Sequence, residues 1–338
     1  MIIENFDTSK KIFVIAEIGN NHEGNFKIAK DMISAAADTG ANAVKFQTIV
    51  PELFVSKFNV ERFKKLKSFQ LKYSQFEKLA LHAQKKNIFF CSTPFDLKSA
   101  IFLNQIQSFF KISSGDNDFY PLISQICKFN KPIIISTGLV TLNKIKKIVN
   151  FIIREKKTKF KNSELGILHC ISSYPTPLNE TNLKSVTFLK KKFSDLSIGY
   201  SDHTLGNMAA YLSVACGAEI IEKHFTLDKN FSSFIDHKLS ADPGDMKQLI
   251  DKIRKLEKIL GTEQKSVQKS EELSVIEYKR SIASNKNLRK GYRIKKSDLM
   301  WIRPGRGFQP GKEKKIINRK INKKINMGHI FKEDDFEK

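Results

Sequence analysis

Two histidines close two short apolar runs. Ser197 to Gly206 reads SIGYSDHTLG and Ala218 to Thr226 reads AEIIEKHFT, and each run ends in a polar cluster holding one imidazole, His203 or His224. Apolar runs bounded by turns and separated by a helical pattern suggest neighbouring parallel strands of an α/β fold. Imidazoles at the same ends of adjacent strands can share one divalent metal. Taken alone, they are as readily two hydrogen-bonded histidines beside a core. Other runs end in the same kind of chemistry. KIFVIAEIG (Lys11 to Gly19) brings Glu17 to the close of a buried strand, and a carboxylate there is uncommon in a core. AVKFQ (Ala43 to Gln47) puts Lys45 and Gln47 on one face by period-two alternation. Both need partners when buried, and a bound anion supplies one.

The remaining strand ends have similar content. IFFCS runs into Thr93-Pro94-Phe95-Asp96, FFKIS into Ser114-Gly115-Asp116, PIIIS into Thr137-Gly138, and LGILHC into Ile171-Ser172-Ser173-Tyr174-Pro175. Helical periodicity fills the intervals, as in Phe26 to Thr39 before Gly40, Ser74 to Lys86, and a last amphipathic helix from about Asp245 to Leu260. Eight such units within residues 1–260 predict a (β/α)8 TIM barrel, whose active site lies at the carboxyl ends of the strands. Thr48 to Phe69 reads as a long connection able to cap that end. Residues 261–279 are polar and read as a linker. Residues 280–338, with short spaced hydrophobics and turns at Lys290-Gly291 and Pro304-Gly305, predict a small, mostly-β domain that would gain by packing on another surface.

Composition narrows the classes. The chain of 338 residues is 41% hydrophobic, enough for a large core. No secretory leader and no apolar run of membrane length is visible, so a cytoplasmic protein with no membrane partner is expected. The four cysteines show no paired or metal-type spacing and read as small buried hydrophobes in a reducing compartment. A net charge of +24 raises nucleic-acid binding. The lysines are spread along the chain, however, and no zinc-finger or aromatic-basic signature appears, so a solvated basic surface is expected and no nucleic acid. Such a surface also draws anions. The residues alone thus point to metal-assisted chemistry on a phosphorylated small molecule.

The motif series IAEIGNNHEGNFKIAK, AVKFQT, CSTPFD, KISSGD, ISTG, LHCISSYPTP, YSDHTLG, EKHFTL and DHKLSADP resembles that of the bacterial sialic acid synthases, the N-acetylneuraminate, legionaminate and pseudaminate synthases. The tail from Arg280 resembles their C-terminal antifreeze-like (SAF) domain. More distantly, the barrel resembles synthases that condense phosphoenolpyruvate with sugar phosphates. The resemblance implies condensation of phosphoenolpyruvate with an open-chain N-acylated amino-sugar aldehyde. Phosphate is expelled by C–O cleavage and the product is a nine-carbon 2-keto acid. It implies a divalent metal, manganese first and magnesium or cobalt as alternatives, on His203 and His224. Phosphoenolpyruvate would be held by Lys45, Thr93, Lys111, Ser114, Ser136, Ser172 and Ser201, with Glu17, Glu222 and Lys111 in catalytic roles. Glu222 stands two residues before His224, so both face the barrel interior, and it is a candidate to orient or deprotonate water. The sugar would meet Gln47, Phe95, Tyr174, Asp236 and Arg280, the last reaching across a domain-swapped homodimer.

Blander roles stand beside these. Ser136 and Ser201 could be helix caps, Tyr174 and Phe95 packing, Glu222 a partner of a ligand, and Arg280 a surface residue. His22 and His169 are expected in structural hydrogen bonds rather than on a metal. Two positions depart from some N-acetylneuraminate synthases: Ser172 and Tyr278 each stand where those carry Asn. Ser114-Gly115-Asp116 looks closer to the neuraminate and legionaminate branches than to pseudaminate synthases. Pseudaminate synthesis, spore-coat or surface-polysaccharide synthesis by the same reaction type, and a non-catalytic carbohydrate-binding protein remain alternatives. Retention of Glu17, Lys45, Lys111, His203 and His224 together argues against the last.

Overall fold

The computed structural model describes residues 1–337 in two compact units, Met1–Gly261 and Thr262 onward. In the first, eight strands form one parallel sheet: β1 (Phe13–Gly19), β2 (Ala43–Thr48), β3 (Phe89–Pro94), β4 (Phe110–Ile112), β5 (Ile133–Ser136), β6 (Leu165–Cys170), β7 (Ser197–Asp202) and β8 (Ile220–His224). Their order is β3-β2-β1-β8-β7-β6-β5-β4, with first and last strands paired so that Glu17 stands opposite His224. This is the expected (β/α)8 barrel, nearly closed. At the remaining seam, between β3 and β4, Ser92 N donates to Gln107 Oε1 (2.8 Å) and Cys91 Sγ lies 3.7 Å from Phe109 O.

The strands read as continuous apolar runs because both their faces are covered. Outward, Val14, Ala16, Ile18, Val44 and Phe46 pack against helices such as Phe26–Asp38, which presents Ala29, Met32, Ile33 and Ala36. Asn25 starts that helix by accepting from Lys27 N and Ile28 N, and Gly40, at φ +86°, follows its end. Inward, Phe13, Ile15, Ala43, Cys91, Phe109, Ile134, Leu168 and Ile220 fill the amino-terminal half together with Met1 and Ile3. Gly199 completes this plug on β7. A Cβ there would meet Ile220 O at 2.3 Å and Leu168 Cδ2 at 2.5 Å, so only glycine fits.

Several elements differ from expectation. The connection 48–69 contains two helices, Pro51–Phe54 and Val60–Phe69, and the second buries no residue. Its apolar residues, Val60, Phe63, Leu66 and Phe69, recur at helical spacing but are at most half-buried. The last barrel helix starts at Pro243, where the Asp242 side chain accepts from Asp245 N. The expected linker holds a helix, Glu272–Tyr278, which belongs to the second unit and is tied to the rest of it by Gly305 N donating to Ile276 O (2.7 Å) and by the Arg306–Glu277 ion pair. Among the described residues, that unit has two four-residue strands, β9 (Ser281–Ser284) and β10 (Leu299–Ile302), plus isolated bridges. Ile282, Leu288, Ile294, Leu299, Ile316 and Phe331 anchor its small core. Among the described residues, no helix is long and apolar enough to cross a membrane.

Candidate active site

Two residues beyond each plug position the interior turns polar, one side chain per strand: Glu17, Lys45, Thr93, Lys111, Ser136, Cys170, Ser201 and Glu222, all buried. Period-two alternation stacks this ring on the apolar plug, at the carboxyl ends of the strands. Two ammoniums and two carboxyls share it, the carboxyls on the adjacent strands β1 and β8. Lys45 Nζ lies 2.8 Å from Glu17 Oε2 and 3.7 Å from Glu222 Oε2, and donates to Thr93 Oγ1 at 3.2 Å. Lys111 Nζ donates to Ser136 Oγ (2.7 Å) and lies 3.6 Å from Glu222 Oε1, which also accepts from Ser201 Oγ at 2.8 Å. Gln47 Nε2 donates to Glu17 Oε1 (3.3 Å), and Asn20 Nδ2 fixes that amide by donating to Gln47 Oε1 (2.9 Å).

The two carboxyls are driven apart. Burial, helped by Glu222 and opposed by Lys45, pushes Glu17 up to about 7. Burial also acts on Glu222, but Lys111 and Lys45 outweigh it and hold that carboxyl low, about 2. Burial lowers Lys111 against the pull of Glu222. The ring thus contains one firmly ionised carboxylate and one poised near neutrality, the division of labour expected of a proton-handling site.

Beside Lys111 the strand ends form a cradle. Gly138 N donates to Ser114 Oγ (3.1 Å). A Cβ on Gly138 would lie 2.3 Å from Ser172 Oγ and 2.7 Å from Ser114 Oγ. The Ser172 hydroxyl is buried without a hydrogen-bond partner. An orphan hydroxyl beside the Ser114 hydroxyl, on the strand end that follows Ser136, suits an anionic oxygen. Asn117 braces the cradle, its Nδ2 donating to Ser136 O (3.2 Å) and Gly138 O (3.0 Å).

The imidazoles stand next to the charged ring. The rings of His203 and His224 are 5.3 Å apart, with the Tyr174 ring 4.2 Å from His203. His224 Nδ1 is buried without a hydrogen-bond partner, 3.8 Å from Asp236 Oδ2. Burial, then His203 and Lys45, hold His224 well below the usual histidine range, so it is neutral and able to ligate. His203 Nδ1 lies 2.8 Å from Ile171 O, which leaves Nε2 for a ligand. Burial pulls His203 down, but Cys170, the Ile171 carbonyl and Glu222 together draw it upward, so proton and metal compete for that ring. Among the described residues, no group of three or more His, Cys, Asp or Glu converges to enclose an ion. The unpartnered Nδ1 of buried His224 and the Nε2 of His203 fit an ion held by two imidazoles, its other positions left to water and substrate.

A family model, the NeuB family, matches residues 32–265. The chain belongs to the NeuB family. Across 96% of its length it is 37% identical to the N,N'-diacetyllegionaminic acid synthase of Campylobacter jejuni, covering 100% of that protein. It is 41% identical over 96% of its length to an uncharacterized protein of Methanocaldococcus jannaschii, covering 94% of it. Among solved structures it is similar to the N-acetylneuraminic acid synthetase of Leptospira borgpetersenii in complex with citrate. There the TM-score is 0.75 and the identity 34%, over 81% of this chain and 94% of that one.

Not every residue marked in the sequence joins the cluster of this NeuB-family chain. Phe95 packs edge-on against Phe54 (4.8 Å between rings). Arg280 is an exposed residue of the second unit, where Nη1 donates to Trp301 O at 2.5 Å. His22 Nδ1 accepts from Gly24 N (3.0 Å), and His169 Nε2 lies 3.0 Å from Thr181 O, so neither joins the imidazole pair. Three site neighbours were missed. Cys170 Sγ accepts from Ser114 Oγ (3.4 Å) and lies 3.9 Å from His203 Nδ1. It stands two residues after the plug residue Leu168, and the alternation applied to Glu222 would have found it. Asn20 and Asn117 carry no such signal, because loop side chains obey no period.

Proposed function

We propose that this chain is a nonulosonate synthase. It transfers a carbon group, joining the methylene carbon of phosphoenolpyruvate to the aldehyde carbon of an open-chain N-acylated amino sugar. Water adds to the former enol carbon and phosphate leaves by C–O cleavage, giving a nine-carbon 2-keto sugar acid. The observation that carries the reading is the pair of buried ammoniums, Lys45 and Lys111, in one ring whose Ser136 leads on to the cradle with the unpartnered Ser172 hydroxyl. With Glu17 poised near neutrality, the two ammoniums face one firmly ionised carboxylate, and a ligand with a phosphate and a carboxylate supplies the balancing negative charge. Ser114, Ser136, Ser201 and Thr93 add hydroxyls. Glu222, held ionised, orients the attacking water. Glu17, poised near neutral pH, accepts or returns a proton at the reacting centre.

The sugar lies toward Gln47, Tyr174 and Asp236. Whole-length similarity to a legionaminic acid synthase supports a 2,4-diacetamido-trideoxyhexose of the mannose series. A divalent metal, manganese first, sits on His203 and His224. Bound there, it supplies Lewis acidity for polarising the aldehyde carbonyl. The second unit acts as an SAF-type domain whose Arg280 reaches the partner's sugar in a swapped homodimer. Its small core and the exposure of Arg280 support that role. Free Cys91, Cys127, Cys170 and Cys216 suit the reducing cytoplasm. The test is phosphate release from phosphoenolpyruvate with N-acetylmannosamine and with diacetamido sugars of the mannose and altrose series. The diacetamido mannose-series sugar should give the highest kcat/KM. Release with none of them refutes the reaction, and preference for another refutes the sugar assignment.

A further inference from the structure

His237 is a fully buried titratable side chain that the proposed reaction does not use. It follows Asp236 in the helix Ile235–Leu239, on the loop after β8. Its two ring nitrogens reach in different directions. Nε2 lies 3.1 Å from Glu23 Oε1 and Nδ1 lies 2.7 Å from Thr226 Oγ1. Ser232 Oγ donates to the same Glu23 oxygen. Glu23 belongs to the turn after β1 and has a left-handed backbone (φ 45°), unusual for a residue with a side chain.

A second anchor lies on the other side of Asp236. Ser240 Oγ donates to Asp236 O (2.6 Å) and accepts from Asn21 Nδ2 (3.0 Å), which also donates to Phe225 O (2.9 Å). The turn after β1 therefore grips the loop after β8 at two points that bracket Asp236. The row Thr226–His237–Glu23 has the residue types of a catalytic relay, but Thr226 is fully buried and its hydroxyl also meets Asp228 O at 3.1 Å. Such a hydroxyl is shut off from substrate, so the row holds shape rather than attacking anything.

We propose that His237 is a positioning residue for the acylated sugar. By pinning the loop after β8 to Glu23, it fixes Asp236 beside the imidazole pair. This rests on the reading that Asp236 contacts the sugar. Only an imidazole bridges Thr226 and Glu23 together; a carboxamide reaches one of them and a methyl neither. Because small displacements of a positioning group cost large factors in productive binding, the pin acts on the sugar and leaves the phosphate end alone.

The test is steady-state kinetics with both substrates varied, on wild type, His237→Ala, His237→Gln and Ser232→Ala. Wild-type turnover of an acylated amino sugar decides the reaction itself; without it both the reaction and the pin fall. Given turnover, His237→Ala should raise the sugar KM about tenfold with the phosphoenolpyruvate KM within about twofold. His237→Gln should recover part of the loss by donating to Glu23. Ser232 is half-buried, and its loss leaves a folded protein with a sugar KM raised about threefold, which keeps the test open should His237→Ala not fold. Equal rises in both KM values, or an unmoved sugar KM in any folded variant, would overturn the assignment.

Discussion

Replacing Lys111 by Met removes one charge at nearly constant shape. Its ammonium donates to Ser136 Oγ at 2.7 Å and stands 3.6 Å from Glu222 Oε1, within a 2% exposed residue. A hydrogen bond to a charged group contributes about 1.5–3 kcal/mol net. If phosphoenolpyruvate takes one such bond from Lys111, its Kd should rise roughly tenfold to 150-fold. Stability should respond differently. At this separation from Glu222, a unit-charge pair is worth about 4–5 kcal/mol at an effective dielectric near 20, before desolvation. That gain is lost, but so is the cost of burying the ammonium, which already lowers Lys111 in the folded chain. Glu222 keeps Lys45 at 3.7 Å and Ser201 at 2.8 Å. The melting temperature should therefore fall far less than the affinity implies. Titration calorimetry with phosphoenolpyruvate, beside a thermal melt, checks both halves. A folded variant with affinity within about twofold of wild type removes Lys111 from the site. Collapse of the fold without ligand would refute the claim that the two electrostatic effects offset each other.

Glu17→Gln tests the poised carboxyl. Its pKa is raised from 4.5 to about 7 on folding, so its contribution is full below 4.5 and is lost as pH rises through 7. The variant should flatten the stability–pH curve in that window, and an unchanged slope in denaturant titrations refutes the shift. Gly138→Ala puts a methyl against Ser114 and Ser172, so phosphoenolpyruvate binding should weaken about tenfold while the melting temperature holds. Ordinary calorimetric affinity would show that the cradle is not used. Chelation should abolish turnover and manganese restore it, with His203→Ala lowering metal retention in equilibrium dialysis; full activity in metal-free protein would sink the ion's role. Mixing Arg280→Ala with Lys111→Met chains should restore activity, because in a swapped heterodimer one barrel carries both defects and the other neither. No recovery in demonstrated heterodimers rejects the swap.

The barrel was legible because parallel strands covered on both faces must be apolar throughout, so their polar ends stand out. Alternation then orders the interior: Glu17 and Glu222 each follow a plug residue by two. The same rule would have found Cys170, had its type not suggested filler. Lys223 shows the limit. Alternation turns it to the helix-facing side with Ile221, yet it is buried there, paired with Asp202 at 2.9 Å and donating to Thr204 O at 2.6 Å. Nothing in the sequence marks that pair, because its partner lies on another strand. The helix Val60–Phe69 carried a signal that was passed over: Val60, Phe63, Leu66 and Phe69 recur at helical spacing inside a stretch read as a connection. Asn117 and His237 act through backbone carbonyls and loop side chains, contacts that only the folded chain brings together.

The pairing of β1 with β8 has a consequence for how the protein matures during synthesis. Glu17 and His224 sit opposite each other across more than half of the chain. A nascent chain that has emerged only through β7 carries both lysines of the ring but lacks Glu222, the carboxylate paired with Lys111 at 3.6 Å. The Lys111 ammonium, without its carboxylate, disfavours a compact state, and the loop-closure entropy of the longest contact is still to be met. Consolidation must then wait for the last strand, giving a high contact order and slow, all-at-once ordering. Ring closure and competence of the site are a single event, so partial barrels should expose no half-built centre able to turn over substrate.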